Sequence, residues 1–350
     1  MSVHIGIIGA GSWGMAVARL LCLNGHRVTL AEPDAHEYEI LQEHRGNPSR
    51  LPKFRLPEAV ILSNDLQSVI ESSDQIVLAI PSQYLRSFIS RLSFSNRKPS
   101  AIVNLAKGLE LKSLARMSTV IAEATSVSPE HVVTLSGPSH AEEVALDMPT
   151  TVVAAGINPE IVAQVQQIFS GSTFRVYASD DIIGVELGGS IKNIIAIASG
   201  IADGLGMGDN TRGALVTRGL AEMTRLGVAM GAKPETFAGL SGLGDLVTTC
   251  SSLHSRNRHV GERIGRGETL SAILGSMTMV AEGVDTSRAG RELASRHNIE
   301  MPITNEVCRV LFEQKSPKAA VADLMGRSLK PEVWQKESRG YTGDRHETCK

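Results

Sequence analysis

The first half of the chain alternates short β-branched runs with amphipathic stretches, and the second half does not. Runs at residues 3–8, 28–31, 76–80, 101–106, 132–136, 151–155 and 174–178 each end in glycine, proline or a polar residue, the punctuation expected of buried strands. Seven such runs separated by helix-length segments predict one mostly parallel sheet covered by helices. From Asp180 onward the runs vanish, and apolar residues recur at helical spacing over 182–201, 214–230, 286–297 and 303–314, which predicts an all-α second half. Glycine-rich connectors at 204–208 and 239–244 interrupt it; such loops either cap helices or let backbone approach a ligand closely. Residues 331–350 carry four acidic and four basic side chains and little apolar content, the composition of a loose tail. The expected organisation is an α/β domain over 1–179, a helical domain over 180–330 and a tail over 331–350.

The most specific local signal is Gly9-Ala10-Gly11-Ser12-Trp13-Gly14, which follows the first apolar run and opens a helical stretch to Leu23. A G-x-G-x-x-G between strand and helix allows a tight turn, a close approach of backbone amides to a pyrophosphate, and close packing of helix on strand. The anion then rests on unpaired N–H groups at the helix N-terminus. The α/β domain is therefore expected to be Rossmann-like and to bind a dinucleotide. In that fold the residue closing the second strand faces the adenosine ribose, where a carboxylate hydrogen-bonds the 2′-hydroxyl and repels a 2′-phosphate. Here it is Glu32, which favours NAD over NADP, although His26 and Arg27 lie close enough in sequence to keep NADP open.

Composition narrows the partners. With 350 residues, 42% of them hydrophobic, the chain can bury cores for two domains. Thirty-five basic and thirty-seven acidic side chains leave a net charge of -2, so bulk charge steers it neither to nucleic acid nor to an anionic membrane. Cys22, Cys250, Cys308 and Cys349 form no C-x-x-C pair, which argues against a disulfide framework or a zinc site and for a reducing cytoplasm. No basic region precedes a long apolar core at the N-terminus, and no unbroken apolar run approaches a bilayer span, so neither export nor membrane insertion is expected. A small-molecule substrate is the default partner; apolar helical surfaces leave a homodimer open.

Ligands of open α/β sheets bind beyond the carboxyl ends of the strands. Lys107 follows one apolar run, and Gly137 and Ser139 follow another. More telling is Glu186-Leu187-Gly188-Gly189-Ser190-Ile191-Lys192-Asn193, which sets a lysine inside a run of isoleucines and alanines. Its ammonium either snorkels to solvent or is held near neutrality for proton transfer, since burial and a neighbouring cation such as Lys107 both lower its pKa. Ser255-Arg256-Asn257 supplies a hydroxyl, a guanidinium and an amide at a helix start, either as a phosphate clamp or as an N-cap followed by a solvated face.

The motifs GSWG, AKGLE, SGPSHAEEVA, ELGGSIKN, GLSGLGDLVTTC, HSRN and VAEGV occur in the order found in NAD(P)-dependent glycerol-3-phosphate dehydrogenases, and the chain resembles that family from residue 3 to about 329. It departs where bacterial members often carry an arginine after the second strand, reading Glu32-Pro33-Asp34 instead. The resemblance implies reversible hydride transfer between NAD(P)(H) and sn-glycerol 3-phosphate or dihydroxyacetone phosphate, supplying phospholipid synthesis. It implies Lys192 as the proton acceptor for the C2 hydroxyl, Asp245 as the group that keeps substrate and Lys192 in register, and Lys107 as an electrostatic contact to substrate and cofactor. Ser255, Arg256 and Asn257 then hold the phosphate, Gly137 and Ser139 contact substrate, and Asn193 and Thr249 stand beside it. Gly9, Gly11, Ser12, Trp13, Gly14, Ala141, Arg256, Val280 and Glu282 fall to the cofactor. No metal is expected. A related two-domain hydroxyacid dehydrogenase would share the sheet and a helical lysine but lacks a reason for the HSRN clamp. A redox-sensing module without catalysis has no use for Lys192 and Asp245.

Overall fold

A computed structural model describes residues 2–94, 98–277 and 279–332. Its strands are β1 (His4–Ile8), β2 (Arg27–Ala31), β3 (Ile61–Ser63), β4 (Gln75–Leu78), β5 (Ala101–Asn104), β6 (Val132–Ser136), β7 (Thr150–Gly156) and β8 (Phe174–Ser179). They form one sheet in the order β3-β2-β1-β4-β5-β6-β7-β8. Helices α1 (Ser12–Leu23), α2 (Ala35–His44), α3 (Leu66–Ser72), α4 (Ser82–Ile89), α5 (Met117–Thr125), α6 (Ala141–Ala145) and α7 (Pro159–Phe169) connect the strands. Two apolar clusters pack on the sheet, one around Ile5, Leu30, Val103 and Phe169, the other around Ile8, Ile76, Ile102 and Val120. Neighbouring residues of β1, Ile7 and Ile8, thus serve opposite faces, as the two-residue period of a strand requires.

The sheet departs from expectation twice. An eighth strand, β3, pairs parallel with β2 through Thr29 and Ile61; it has three residues, none fully buried, so no apolar run announces it. And β7 runs antiparallel to β6, pairing Ser136 with Val153, before β8 resumes parallel to β7. Strand direction is set by the connection, which the side-chain pattern does not encode. Because the chain leaves β1 for β2 and β3 and then returns to β4 on the other side, a crevice opens beyond the carboxyl ends of β1 and β4.

Every element after Ser179 is helical: α8 (Ile182–Gly204), α9 (Asp209–Ala229), α10 (Pro234–Ala238), a wide π-type turn over Leu240–Gly244, α11 (Asp245–Ser251), α12 (Arg256–Gly265), α13 (Leu270–Ser276), α14 (Glu282–Arg296), α15 (Pro302–Phe312) and α16 (Pro317–Met325). Asp181, Ser255, Thr269 and Ser316 cap α8, α12, α13 and α16 through their side chains. Helix α8 is the axle of this half, buried on all sides along most of its length. It is also the one described helix long and apolar enough to cross a membrane, with mean hydropathy 1.4, although Glu186 and Lys192 interrupt its apolar run; 89% of that window is covered by the protein itself.

Helix α12 lies against α8 backbone to backbone. A Cβ on Gly200 would meet the Arg258 carbonyl oxygen at 2.0 Å, and one on Gly261 would meet that of Ile197 at 2.1 Å; Gly204 and Gly265 repeat the contact one turn on. The two G-x-x-x-G spacings therefore fix the helix carrying Ser255-Arg256-Asn257 against the helix carrying Lys192. Of the expected tail, residues 333–350 lie outside the described part.

Candidate active site

The nucleotide loop is built as its glycines demand. Gly9 adopts φ +104°, a conformation that favours glycine. A Cβ on Gly14 would meet the Gly9 carbonyl oxygen at 2.0 Å, so α1 can pack this close only with glycine there. Nothing lies within 4 Å of a Cβ position on Gly11, and Gly11 caps α1 without a side-chain bond. The first amides of α1 thus face open space with no side-chain cap, the arrangement a pyrophosphate fills. The residues fit a dinucleotide.

Glu32 stands at the end of β2, 8% exposed. Its Oε2 accepts from the Ala10 amide at 3.1 Å and its Oε1 from that of Asp34 at 3.2 Å. Burial raises the carboxyl's pKa against the pull of those two bonds and of Arg50. The carboxylate therefore shapes the glycine loop itself. Ser12 donates to the Arg50 carbonyl at 2.8 Å and touches Met279 Sδ at 3.6 Å. Trp13 turns to the core, its ring 6.4 Å from that of Phe174. Ala141, 8% exposed, begins α6.

The chemistry gathers where α8 passes the carboxyl ends of β5 and β6. A Cβ on Gly188 would meet the Ser241 carbonyl oxygen at 2.5 Å, and one on Gly189 would meet Ser136 Oγ at 2.5 Å. Those glycines seat α8 against both the π-type turn and the sheet, and one turn on, Lys192 faces Asp245. Lys192 does not snorkel: its side chain is 6% exposed. Its Nζ donates to Asp245 Oδ1 at 2.5 Å and to Thr249 Oγ1 at 2.6 Å. Lys107 Nζ donates to the other carboxylate oxygen at 2.9 Å and to the Gly137 carbonyl at 2.8 Å. One buried carboxylate thus joins two ammoniums from different halves of the molecule.

Burial lowers the Lys192 pKa from its ordinary 10.5 to about 8; Asp245 opposes the shift and Lys107 adds to it. Burial pushes the Asp245 carboxyl upward, yet the two ammoniums outweigh it and hold it below its usual value. Around them, Asn104 folds the turn after β5, accepting from the Ala106 amide at 3.0 Å, which projects Lys107 out of the sheet. Gly137 has φ +143°, and its carbonyl also accepts from Ser139 Oγ at 2.9 Å. Asn193 donates weakly to the Lys107 carbonyl at 3.4 Å.

Ser255-Arg256-Asn257 stands at the start of α12, as the capping reading expects. Ser255 is the N-cap, accepting from the Arg258 amide at 3.2 Å. Arg256 is exposed and donates to the Val280 carbonyl at 2.9 Å, which anchors the loop preceding α14. Asn257 Oδ1 accepts from the Gly283 amide at 2.9 Å, which ties the first turn of α14 to α12. Glu282 reaches across to the α/β half, its Oε1 accepting from the Ser82 amide at the start of α4 at 2.8 Å. Sequence reasoning missed Ser82, Arg50 and Met279, which lie in stretches without a motif, and His140, which sits inside SGPSHAEEVA without an assigned role. Burial, with the charges of Lys192 and Lys107, pushes the His140 imidazole down to about 4.

A dinucleotide crevice facing a helical domain that presents a buried lysine of lowered pKa defines a nicotinamide-dependent dehydrogenase of the two-domain kind. Models of the N-terminal and C-terminal parts of NAD-dependent glycerol-3-phosphate dehydrogenase match residues 4–162 and 181–322. The chain belongs to that family. It is 49% identical to glycerol-3-phosphate dehydrogenase (NAD(P)+) of Geobacter sulfurreducens over 95% of this chain and 100% of the relative, and 48% identical to an enzyme of the same description from Salinibacter ruber over 95% and 97%. The crystal structure of glycerol-3-phosphate dehydrogenase from Coxiella burnetii superposes with a TM-score of 0.89 at 39% identity, covering 93% of this chain and 99% of that one. A D-mandelate dehydrogenase structure, at 15% identity and a TM-score of 0.59, shares the fold alone.

Proposed function

We propose that this protein is an NAD(P)-dependent dehydrogenase that interconverts sn-glycerol 3-phosphate and dihydroxyacetone phosphate, with residues 1–179 holding the nucleotide and 180–330 the triose. The observation that carries the chemistry is Lys192, buried, bonded to Asp245 and Thr249, and lowered to about 8. The bound nicotinamide supplies or accepts the hydride at C2. Lys192 holds the matching proton: as free amine it takes the proton of the C2 hydroxyl, and as ammonium it returns it to the ketone oxygen. Asp245 fixes the direction of the amine. Lys107, on the same carboxylate, places a second positive charge where the oxygen gains negative charge.

The substrate phosphate lies at the start of α12, where Ser255, Arg256 and unpaired amides converge. Binding at this non-reacting group orients the carbon that reacts. Glu32 favours NAD, and Arg50 beside it leaves NADP usable. We place the enzyme in the cytoplasm, outside any membrane, making glycerol 3-phosphate for phospholipids; its described cysteines, Cys22, Cys250 and Cys308, are free thiols, which suits that compartment.

Initial rates of ketone reduction and alcohol oxidation with NAD(H) and NADP(H) test the reading. We expect dihydroxyacetone phosphate to oxidise NADH rapidly and free glycerol to be a poor substrate in the reverse direction. Glycerol matching glycerol 3-phosphate in kcat/KM would overturn the clamp, and no turnover of dihydroxyacetone phosphate with either cofactor would overturn the function.

A further inference from the structure

We infer that His140 recognises the C1 hydroxyl of the triose and is thereby the residue that separates dihydroxyacetone phosphate from phosphorylated ketones lacking that hydroxyl. The inference rests on the function proposed above. In that reading Ser255 and Arg256 take the phosphate and Lys192 and Lys107 the C2 oxygen, while Asp245, Gly137 and Ser139 contact the triose without any one of them being committed to the C1 hydroxyl.

His140 follows Ser139 in the turn between β6 and α6. Its backbone carbonyl accepts from the Glu143 and Val144 amides, each at 3.1 Å, so the main chain is fixed while the ring is free to serve another purpose. Its Nε2 is shut off from solvent and has no hydrogen-bond partner among the described residues, a costly arrangement unless a ligand completes it. The turn that carries it is tied to the lysine–carboxylate cluster, since Lys107 Nζ donates to the Gly137 carbonyl at 2.8 Å and Ser139 Oγ to the same oxygen at 2.9 Å, and the charges of Lys192, Lys107, Asp245 and His254 act on the ring. Two ammoniums and burial keep the imidazole neutral. A neutral imidazole carries one donor and one acceptor nitrogen. That matches a hydroxyl, which is both, better than a phosphate, which only accepts.

The ring also has a gate. His254, an exposed residue of the loop between α11 and α12, tilts against it with centroids 5.9 Å apart and planes at 52°. It lies one residue before Ser255, in the helical half of the chain, whereas His140 belongs to the α/β half. A triose whose phosphate is held by Ser255 and Arg256 therefore brings its carbon chain in where the two rings meet, and its C1 end displaces the His254 ring to reach Nε2.

The test is a substrate-by-mutant cycle measured with NADH. The wild type and His140→Phe are each assayed on dihydroxyacetone phosphate and on hydroxyacetone phosphate, which carries a methyl group in place of the C1 hydroxymethyl. We expect kcat/KM of the wild type to favour dihydroxyacetone phosphate by at least about 10²-fold, as a site built for a hydroxyl rejects its absence. His140→Phe is expected to lose about 10- to 100-fold on dihydroxyacetone phosphate and less than about threefold on hydroxyacetone phosphate, with the NADH Kd unchanged. His140→Asn, which keeps a donor and an acceptor, should recover part of the preference and serves if the Phe variant no longer binds NADH. Equal losses on both substrates, or no loss on either, overturn the inference while leaving the function standing. A wild type inactive on dihydroxyacetone phosphate overturns both.

Discussion

On the proposed mechanism, proton affinity at Lys192 sets what the reaction can do at a given pH. The free enzyme holds this amine near 8, and kcat/KM reports the free enzyme. Alcohol oxidation needs the neutral amine, so its kcat/KM should rise with pH and level off above about 8. Ketone reduction needs the ammonium, so its kcat/KM should fall through the same range. Rate profiles in both directions between about pH 6 and 10 check this; limbs of the same sign would contradict Lys192 as the shared acid and base. Lys192→Met should lower kcat on the order of 10²- to 10⁴-fold while NADH still binds. Glu32 makes a different demand, since its carboxylate bonds the Ala10 and Asp34 amides. Glu32→Ala should reduce the ratio of kcat/KM for NAD to that for NADP by about tenfold, and an unchanged ratio would remove Glu32 from the ribose site. Lys192 and Asp245 lie 53 positions apart, and Lys107 and Asp245 138 apart, so no spacing rule joins them. What the sequence made visible was an expensive lysine in an apolar helix and a set of ordered motifs. Arg50 lies outside those motifs and His140 lies within one without a role, because what sets them apart is what surrounds them in space.

The packing of helix on helix is where the glycines matter most. Gly261 touches α8 so closely that an added methyl would lie 2.1 Å from the Ile197 carbonyl oxygen, a contact that backbone cannot yield without moving α12. Gly261→Ala should therefore destabilise the protein by about 2–3 kcal/mol and weaken phosphate binding along with it, because α12 starts with the clamp. Gly213, in exposed α9 with nothing within 4 Å of its Cβ position, should respond in the opposite sense, Gly213→Ala stabilising by about 0.5–1 kcal/mol. Thermal melts of the two variants check the pair; a shift of the same sign in both would refute the packing account. The elements themselves were legible in proportion to their length and burial. Long α8, α9, α14 and α15 were expected within a few residues of their observed bounds. Three-residue β3 and the short helices α10, α11 and α13 were not, since five to seven residues span at most two helical turns and define no period. The G-x-x-x-G spacings at 200 and 261 were present in the sequence but acquire meaning only once α8 and α12 are paired.

Across the whole molecule, catalysis depends on two halves holding one carboxylate between them, and α8 is the member that belongs to both. Six residues before Lys192, Glu186 reaches back to the α/β half, accepting from Arg116 Nη1 at 2.6 Å, from the Ser118 amide at 2.8 Å and hydroxyl at 2.6 Å at the start of α5, and from Thr134 Oγ1 at 3.2 Å on β6. At 3% exposure for its side chain against 19% for that of Arg116, this is a buried pair with its remaining lone pairs satisfied, and removing one member strands the other. The tie fixes how α8 is rotated and advanced over the sheet, hence where Lys192 stands relative to Lys107. Glu186→Ala should cost about 3 kcal/mol in a urea titration. In the fraction still folded it should lower kcat at least about tenfold, because a shift of about 1 Å in the base is enough for that. The NADH Kd should stay near that of the wild type, since neither the glycine loop nor Glu32 touches this network. Loss of stability with full kcat would show that Asp245 alone orients the lysine, and that the halves can slide without harm to the chemistry.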